Sequence, residues 1–208
     1  HYGISTGFGA LASKRVPVEQ RAILQHSLIR SHAASTGAEV EREVIRAMML
    51  LRLKTMASGH TGVRREVVLG YAAMLNAGIT PITGEYGSLG CSGDLAPLAH
   101  AALALTGEGI VRDKAGTQMP AAEALTAAGL EPITLREKEG LALINGTDGM
   151  LGQLILALTD LDTLVTTADL TTAMTVQALC GIDAVFAPDL QALRPHEGQK
   201  LSAANIAA

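Results

Sequence analysis

The feature that most constrains this chain is a glycine-rich stretch near its middle, with the sequence GEYGSLGCSGDLAPL over residues 84–98. Its glycines, Gly84, Gly87, Gly90 and Gly93, recur at every third position. Glycine has no Cβ, so it readily takes positive φ angles and lets the backbone lie close to itself or to a ligand. We therefore predict a loop shaped for chemistry, in which ordinary helix and strand are excluded.

A helix is predicted to begin where this loop ends. Asp94 is suited to the N-cap position, and Pro97 falls in the first helical turn, where a missing N–H group costs little. The positive end of the helix dipole would then point back towards Cys91, Ser92 and Gly93.

These three consecutive residues have the composition needed to close into a ring. The amide nitrogen of Gly93, unhindered by a Cβ, can attack the carbonyl carbon of Cys91, and loss of water gives a five-membered ring. Ser92 then loses its hydroxyl as a second water, which leaves an exocyclic methylidene. The product, a methylideneimidazolone, is an electrophile that none of the twenty side chains provides, and helix N–H groups near its oxygen would strengthen it.

The chain resembles the aromatic amino acid ammonia-lyases, in which the pattern GSxGxSGDLAPL surrounds the cyclising tripeptide; residues 87–98 match this pattern here. Within that family it is most similar to the members that act on histidine. The resemblance covers essentially all 208 residues, because further motifs follow in the family's order at Tyr2–Gly9, Ser31–Ala34, Asn145–Thr147 and Arg194–His196.

This resemblance implies an all-α fold, a mainly helical bundle in which residues 1–208 form one segment of a larger lyase domain and residues 84–98 form the prosthetic-group loop. It implies a methylideneimidazolone made from Cys91, Ser92 and Gly93, with no external cofactor and no metal. It also implies a homotetramer of the full-length protein with active sites shared among subunits. Since further site residues are expected beyond residue 208, the isolated segment should be inactive.

The reaction implied by the resemblance is removal of ammonia from an amino acid. The α-amino group of the substrate, or in another scheme its aromatic ring, adds to the methylidene carbon derived from Ser92. A base removes the β-proton and ammonia leaves, which gives an α,β-unsaturated acid; for histidine this acid is urocanate. By the same resemblance, Tyr2 is the candidate base, and Asn145 lies near the prosthetic group and the substrate carboxylate.

Ser31 and His32 stand at the family's selectivity position, where the resemblance associates Ser-His with histidine, Phe-Leu with phenylalanine and His-Leu with tyrosine. The His32 imidazole can exchange hydrogen bonds with a substrate imidazole. A phenyl substrate would leave those polar groups unpaired, at ~1–3 kcal/mol each. A phenylalanine or tyrosine ammonia-lyase or an aminomutase is the alternative within the family, and product analysis separates these activities.

Three positions depart from the family pattern. Cys91 stands where most members have alanine, but only its backbone enters the ring. Asp148 replaces a frequent glutamine, so that active-site contact is left open. Glu197 replaces a usual proline, with no catalytic effect expected.

Without the resemblance, these residues admit simpler interpretations. Tyr2 is then a buried tyrosine with a satisfied hydroxyl, and His32 a hydrogen-bonded histidine on the inward face of its helix. The glycine loop is an anion-binding helical module, or Cys91 is a thiolate nucleophile with His100 or another histidine as its base. Mass and absorbance distinguish these cases, because ring formation removes two waters and creates a near-ultraviolet chromophore.

Composition limits the possible partners. The chain is 48% hydrophobic and 17% charged, as in soluble globular proteins, and its net charge of −4 offers no footprint for nucleic acid or an anionic membrane. The histidines are scattered without an HExxH motif, so no metal site is expected.

Two distant cysteines favour the cytoplasm, and we expect a small amino acid as partner. The chain begins at His1 directly within a motif, which suggests a piece of a longer protein and leaves a removed leader open.

Apolar periodicity and stop signals predict a loop over residues 1–16 and a small hairpin over 107–120, with no strand of appreciable length. The last predicted helix carries apolar residues on several sides, which is typical of helices buried among others, and Asp160 and Asp162 argue against a membrane span. Helices are predicted from Pro17 to near Gly37 and then over about 38–58, 63–77, 94–106, 121–129, 135–145 and 150–179.

Overall fold

The computed structural model describes residues 1–90 and 93–208. Cys91 and Ser92, which belong to the predicted ring, lie outside the described residues. The described chain is mainly helical, as predicted, and falls into two compact units, His1–Leu154 and Ile155–Ala208.

Helices dominate the first unit, and three of them, α1, α4 and α6, pack against one another, while α2 packs against α3 and α4. Their positions agree with the sequence signals, since Pro17 precedes α1 and Pro120 precedes α5. The bounds are α1 (Val18–His32), α2 (Arg42–Ala57), α3 (Arg65–Asn76), α4 (Leu95–Leu105), α5 (Ala121–Ala127), α6 (Glu139–Ile144) and α7 (Asp148–Ala178), whose first residues belong to this unit.

The core of the first unit surrounds the alanine-rich helix α4, in which Leu98, Ala99, Ala101 and Ala102 are fully buried. Small side chains allow neighbouring helices to approach closely, and flexible methionines fill the gaps between them. Large side chains that are fully buried in the same core include Leu105 of α4 itself and Ile29, Met48, Met49, Tyr71, Met74 and Leu143 from other elements.

Five short strands interrupt the helices in the described residues. The hairpin predicted over residues 107–120 is present as β4 (Ile110–Arg112) and β5 (Gln118–Pro120), and β2 (Thr80–Pro81) pairs antiparallel with β4. A second antiparallel pair joins β1 (Thr36–Glu39) to β3 (Gly84–Tyr86).

The β3 strand corrects the prediction that strand structure is excluded at the start of the glycine loop. Gly84 is among the glycines without a positive φ angle, and it is required for a different reason: a Cβ there would overlap the Thr36 backbone of the paired strand. Gly87, Gly90 and Gly93 do have positive φ angles of 148°, 67° and 124°. Regular structure therefore extends into the loop only as far as Tyr86.

Two predicted helix starts are also wrong. The helix predicted from residue 38 begins at Arg42, because the preceding residues pair with β3 and the Val40 N–H donates to the Thr83 carbonyl at 2.9 Å. The helix predicted from residue 135 begins at Glu139, because Lys138 has a left-handed φ of 75° that cannot continue a helix.

The buried carboxylate of Glu139 explains this late start of α6. It accepts hydrogen bonds from the Arg64 side chain at 2.8 and 2.9 Å and from the backbone N–H groups of Arg136 and Arg64. Burial by itself would raise the pKa of Glu139, but these hydrogen bonds hold it below its ordinary value. The pair therefore fixes the N-terminus of α6 to that of α3.

The second unit contains the remainder of α7, a 3₁₀ turn (Asp183–Phe186), α8 (Pro188–Ala192) and α9 (Glu197–Ala207). Helix α9 packs against α8 and the turn, and Asn205 Nδ2 donates to Asp169 Oδ2 at 2.8 Å.

Helix α7 follows its predicted bounds, but its apolar side chains are not buried in this chain. One stretch, Glu139–Ala178, is long and apolar enough to cross a membrane by length and composition alone, a test that core helices of soluble proteins also pass. The exposed fractions lie between 43% and 64% for Leu151, Leu154, Ile155, Leu158, Leu161, Leu164 and Val165.

Candidate active site

Gly93, the third residue of the predicted ring, lies directly against the backbone of Gly146. A Cβ at Gly93 would be 2.6 Å from the Gly146 carbonyl oxygen and 2.8 Å from its nitrogen, so no other residue fits. The next peptide is bonded to the same carbonyl, because the Asp94 N–H donates to Gly146 O at 2.5 Å. Gly93 is thus held beside the Asn145-Gly146 motif.

Asp94 fixes the loop to α7 and does not cap α4 as predicted. It occupies the N-cap position of α4 without a side-chain cap bond. Its fully buried carboxylate instead accepts the Met150 N–H at 2.9 Å and the Ser88 hydroxyl. Because the first N–H groups of a helix lack intrahelical partners, the carboxylate satisfies one at the start of α7.

Asn145 follows α6 and is held through its backbone by Arg52 of α2. The Arg52 Nη1 donates to the carbonyls of Ala142 and Asn145, each at 3.1 Å, while Nε and Nη2 donate to Asp148. Both members of the ion pair are buried. The contact left open for Asp148 is therefore occupied by Arg52.

Sequence reasoning missed Arg52. The available signal was a single arginine within the apolar run MMLLRL of α2, since a charge in such a run must either reach solvent or find a buried partner.

Ser31 and His32 end α1 and share one acceptor. The Ser31 hydroxyl donates to the Leu28 carbonyl at 2.8 Å, and His32 Nδ1 lies 2.8 Å from the same oxygen and 3.0 Å from Ser31 Oγ. A carbonyl only accepts, so Nδ1 carries the proton in the neutral imidazole and Nε2 is left as an acceptor. The half-buried ring is thus fixed in one tautomer.

Tyr2 is 46% exposed, so the interpretation as a buried tyrosine does not describe this chain. Its hydroxyl accepts the Gly9 N–H at 2.9 Å, and its ring meets Phe8 edge to face with centroids 5.9 Å apart. Lys138 Nζ lies 5.1 Å from the ring centroid and donates to the Tyr2 carbonyl at 2.8 Å. These contacts fix the aromatic ring and connect it to the start of α6.

The fully buried Gln25 connects the Tyr2 loop to two helices. From α1, its amide Nε2 lies 3.5 Å from the Gly3 carbonyl, and its Oε1 accepts the Gly140 N–H of α6 at 3.0 Å. Tyr2 and Asn145 are therefore both positioned relative to α6, at its opposite ends.

His100, the candidate base of a thiol enzyme, takes part in a different contact. Its Nε2 lies 2.8 Å from Ser35 Oγ, which itself accepts the Gly84 N–H at 2.9 Å. Since Nε2 also accepts the Ser35 N–H at 3.4 Å, it carries no proton and the hydroxyl donates to it; burial lowers the pKa of His100. This chain of bonds ties the start of the glycine loop to α4 and to the residues that follow α1.

A cavity of about 330 Å³ adjoins the glycine loop without including Tyr2, Ser31, His32 or Asn145. Gly93 lies against Asn145-Gly146, and His32 bonds to Ser31, but no hydrogen bond of the described residues joins Tyr2 to His32.

In residues 1–90 and 93–208, no group of three or more His, Cys, Asp or Glu side chains is arranged to hold a metal ion. The cavity is lined by residues that include Glu39, Glu41, Thr83, Glu85, Ser88, Asp94 and Met150.

Comparison with known proteins covers the whole chain. The model of the family described as aromatic amino acid lyase matches residues 1–208. A histidine ammonia-lyase of Streptomyces coelicolor is 62% identical over 207 residues, which are 100% of this chain and 40% of that protein. The chain thus spans about 40% of the length of the curated relatives it matches.

Solved structures show the same fold. The crystal structure of histidine ammonia-lyase from Trypanosoma cruzi matches with a TM-score of 0.91 at 39% identity, over 99% of this chain and 40% of that one. A tyrosine aminomutase from Streptomyces globisporus matches with a TM-score of 0.89 at 41% identity, over 99% and 38% of the two chains.

Proposed function

This chain belongs to the aromatic amino acid lyase family, and we propose that the protein containing it is a histidine ammonia-lyase, which converts L-histidine to urocanate and ammonia. The family supplies the reaction class, a carbon–nitrogen lyase. The proposal for histidine rests on the similarity to histidine ammonia-lyases and on the arrangement of Ser31 and His32.

We assign the prosthetic group to Cys91, Ser92 and Gly93. The fit is supported at Gly93, whose positive φ and contact with Gly146 leave no space for a Cβ, so a bare glycine nitrogen is available for ring closure. When formed, the methylideneimidazolone supplies an electrophile for the substrate, so that the amino group can depart as ammonia. Helix α4 begins two residues after Gly93, which places unpaired helix N–H groups nearby.

Two residues of this chain are assigned to the substrate's proton and carboxylate. Tyr2 Oη removes the β-proton, and the contacts with Gly9 and Phe8 hold its ring in place for that transfer. Asn145, which directly precedes the Gly146 that touches Gly93, uses its exposed side chain to bind the carboxylate, with its backbone fixed by Arg52.

We assign His32 to recognition of the substrate ring, and the observation that carries the proposal for histidine is the contact that fixes the tautomer of this imidazole. Since Nδ1 is engaged by Leu28, Nε2 accepts a hydrogen bond from an N–H of the substrate imidazole. A phenyl ring has no such donor and would leave Nε2 desolvated and unpaired.

The oligomeric state, location and partners proposed for the full-length protein follow from the same family. We propose a cytoplasmic homotetramer without nucleic acid or membrane partners. The exposed apolar side chains of α7 support association with further chain or subunits, because patches of this kind mark interaction surfaces.

The test uses the full-length protein and two neighbouring variants. Wild type should lack the mass of two waters, absorb in the near ultraviolet and release urocanate from histidine. Ser92→Ala should keep its fold and lose activity, while Cys91→Ala should remain active because only the backbone of that residue enters the ring. Full activity of Ser92→Ala, or loss of activity in Cys91→Ala alone, would contradict the assignment.

An aminomutase is the second candidate, supported by the similarity to tyrosine aminomutase. Chromatography of the products separates the two, since an aminomutase returns a β-amino acid and a lyase releases the unsaturated acid. A protein of full mass that retains bound anions would instead support the anion-binding module.

A further inference from the structure

Arg52 is a buried cation whose only assignment in the reaction described above is to hold the Asn145 backbone. Its guanidinium has a side-chain exposure of 5%, and it projects from the otherwise apolar centre of α2. A buried charge is retained only when its hydrogen bonds and its charge are both satisfied. The partners of Arg52 therefore indicate what the residue holds in place.

Those partners belong to one short segment, residues 142–148. Nη1 donates to two carbonyls at the end of α6, those of Ala142 and Asn145, and the opposite edge of the guanidinium donates to Asp148 at the start of α7. A planar fork with five N–H groups can bind both ends of such a turn at once, whereas an ammonium group cannot.

The turn held in this way is the one that supports Gly93. Gly146 must be glycine because a Cβ there would overlap the Arg52 guanidinium. On its other side, the Gly146 backbone touches Gly93 and accepts the Asp94 N–H at 2.5 Å. A displacement of the Arg52 guanidinium would thus be passed through one residue to the end of the ring-forming tripeptide.

We propose that Arg52, together with Asp148, is a positioning residue for formation of the prosthetic ring. The proposal rests on the proposed function. Ring closure joins the Gly93 nitrogen to the Cys91 carbonyl carbon, and that oxygen leaves as one water with the N–H protons of Gly93 and Ser92. The Ser92 hydroxyl leaves as the second water, with the Ser92 Cα proton. Arg52 fixes the peptide that follows Gly93, and a misplacement of about 1 Å in such a geometry costs about 100-fold in rate.

The test compares Arg52→Lys with Asp148→Asn in the full-length protein. Lysine keeps the charge but cannot reach the carboxylate and both carbonyls, so the dehydrated fraction in the intact mass spectrum and the near-ultraviolet absorbance should fall. The kcat per mole of protein should fall with them, by about 10- to 100-fold. Asp148→Asn keeps one acceptor oxygen but loses the charge paired with Arg52, so it should lose part of the ring, though less than Arg52→Lys.

The matched control is Arg64→Lys, which weakens another ion pair with a buried carboxylate, at the opposite end of α6. It should lower the unfolding temperature while the chain remains fully dehydrated. Complete dehydration and wild-type kcat in folded Arg52→Lys would overturn the proposal. If that variant does not fold, the same result in Asp148→Asn would overturn it. A wild-type protein of full mass would contradict the proposed function itself, independently of both variants.

Discussion

Replacing Gly146 by alanine tests how tightly the Asn145-Gly146 turn is packed. The new Cβ would overlap Asp148 Oδ2 and, more closely, Arg52 Nη2, so the guanidinium must move. Moving it breaks the ion pair and two carbonyl hydrogen bonds within the core. Separating a buried ion pair costs about 3–5 kcal/mol, and we expect Gly146→Ala to lower the free energy of unfolding by this amount.

The assay is urea unfolding of the full-length protein, followed by circular dichroism at a fixed protein concentration, because association changes apparent stability. Gly62→Ala is the matched control. Gly62 is not among the positive-φ glycines, and a Cβ there meets nothing within 4 Å. Loss of backbone freedom in the unfolded chain should make this control neutral or more stable by about 0.4–1 kcal/mol.

A double-mutant cycle tests whether the clash with Arg52 causes the lower free energy of unfolding of Gly146→Ala. With Arg52→Ala the guanidinium is absent, and the Asp148 carboxylate, without its partner, can turn away from the new Cβ, so adding Gly146→Ala should cost less than about 1 kcal/mol more. Equal costs in both backgrounds would show that the clash with Arg52 is not the reason, and a wild-type stability of Gly146→Ala would refute the packing described here.

Three further outcomes are expected. His32→Leu in the full-length protein should reduce turnover of histidine far more than it reduces stability, and replacement of Ser31-His32 by Phe-Leu should shift preference towards phenylalanine; unchanged histidine kinetics would assign His32 a purely structural role. The folded-state pKa of Glu139 is below the ordinary 4.5, so the stabilisation by its carboxylate is complete above pH 4.5 and is lost as the pH falls through the folded-state pKa. The unfolding temperatures of Glu139→Gln and wild type should therefore differ at pH 7 and converge in acid. A difference that stays constant with pH would contradict this. The 208-residue chain alone should release no urocanate, because it spans only about 40% of its relatives' length and leaves the apolar side chains of α7 exposed; turnover comparable to that of the full-length protein would show that its site is complete.

Local signals predicted most of the helices correctly. Pro17 and Pro120 precede helices α1 and α5, because a fixed φ and a missing N–H are harmless there. The errors arose at residues 38–41, where a hydrogen bond to distant Thr83 replaces local ones, and at residues 135–138, where the Arg136 N–H bonds to the Glu139 side chain and Lys138 has a left-handed φ. Gly84 shows the same limit: its spacing suggested a loop, but a partner strand 45 or more residues earlier made it part of a sheet.

The candidate site shows the same difference between what local sequence signals predict and what contacts between distant residues decide. The residue types at positions 91–93, together with Tyr2, Ser31, His32 and Asn145, are matters of sequence, because the chemistry resides in consecutive atoms or in side chains that a motif identifies. Their assignment as site residues remains a prediction. The sequence also raised the question of Asp148 without answering it.

The sequence by itself determined the glycine-flanked tripeptide, the family and the order of the helices, since these depend on neighbouring residues. Only the tertiary structure decided that Arg52 binds Asp148, that Asp94 caps α7 instead of α4, and that Gly146 is required because a guanidinium fills its Cβ position. Those contacts join residues 56 to 96 positions apart. No local pattern specifies such a pairing, because it depends on how helices pack once their apolar faces are buried.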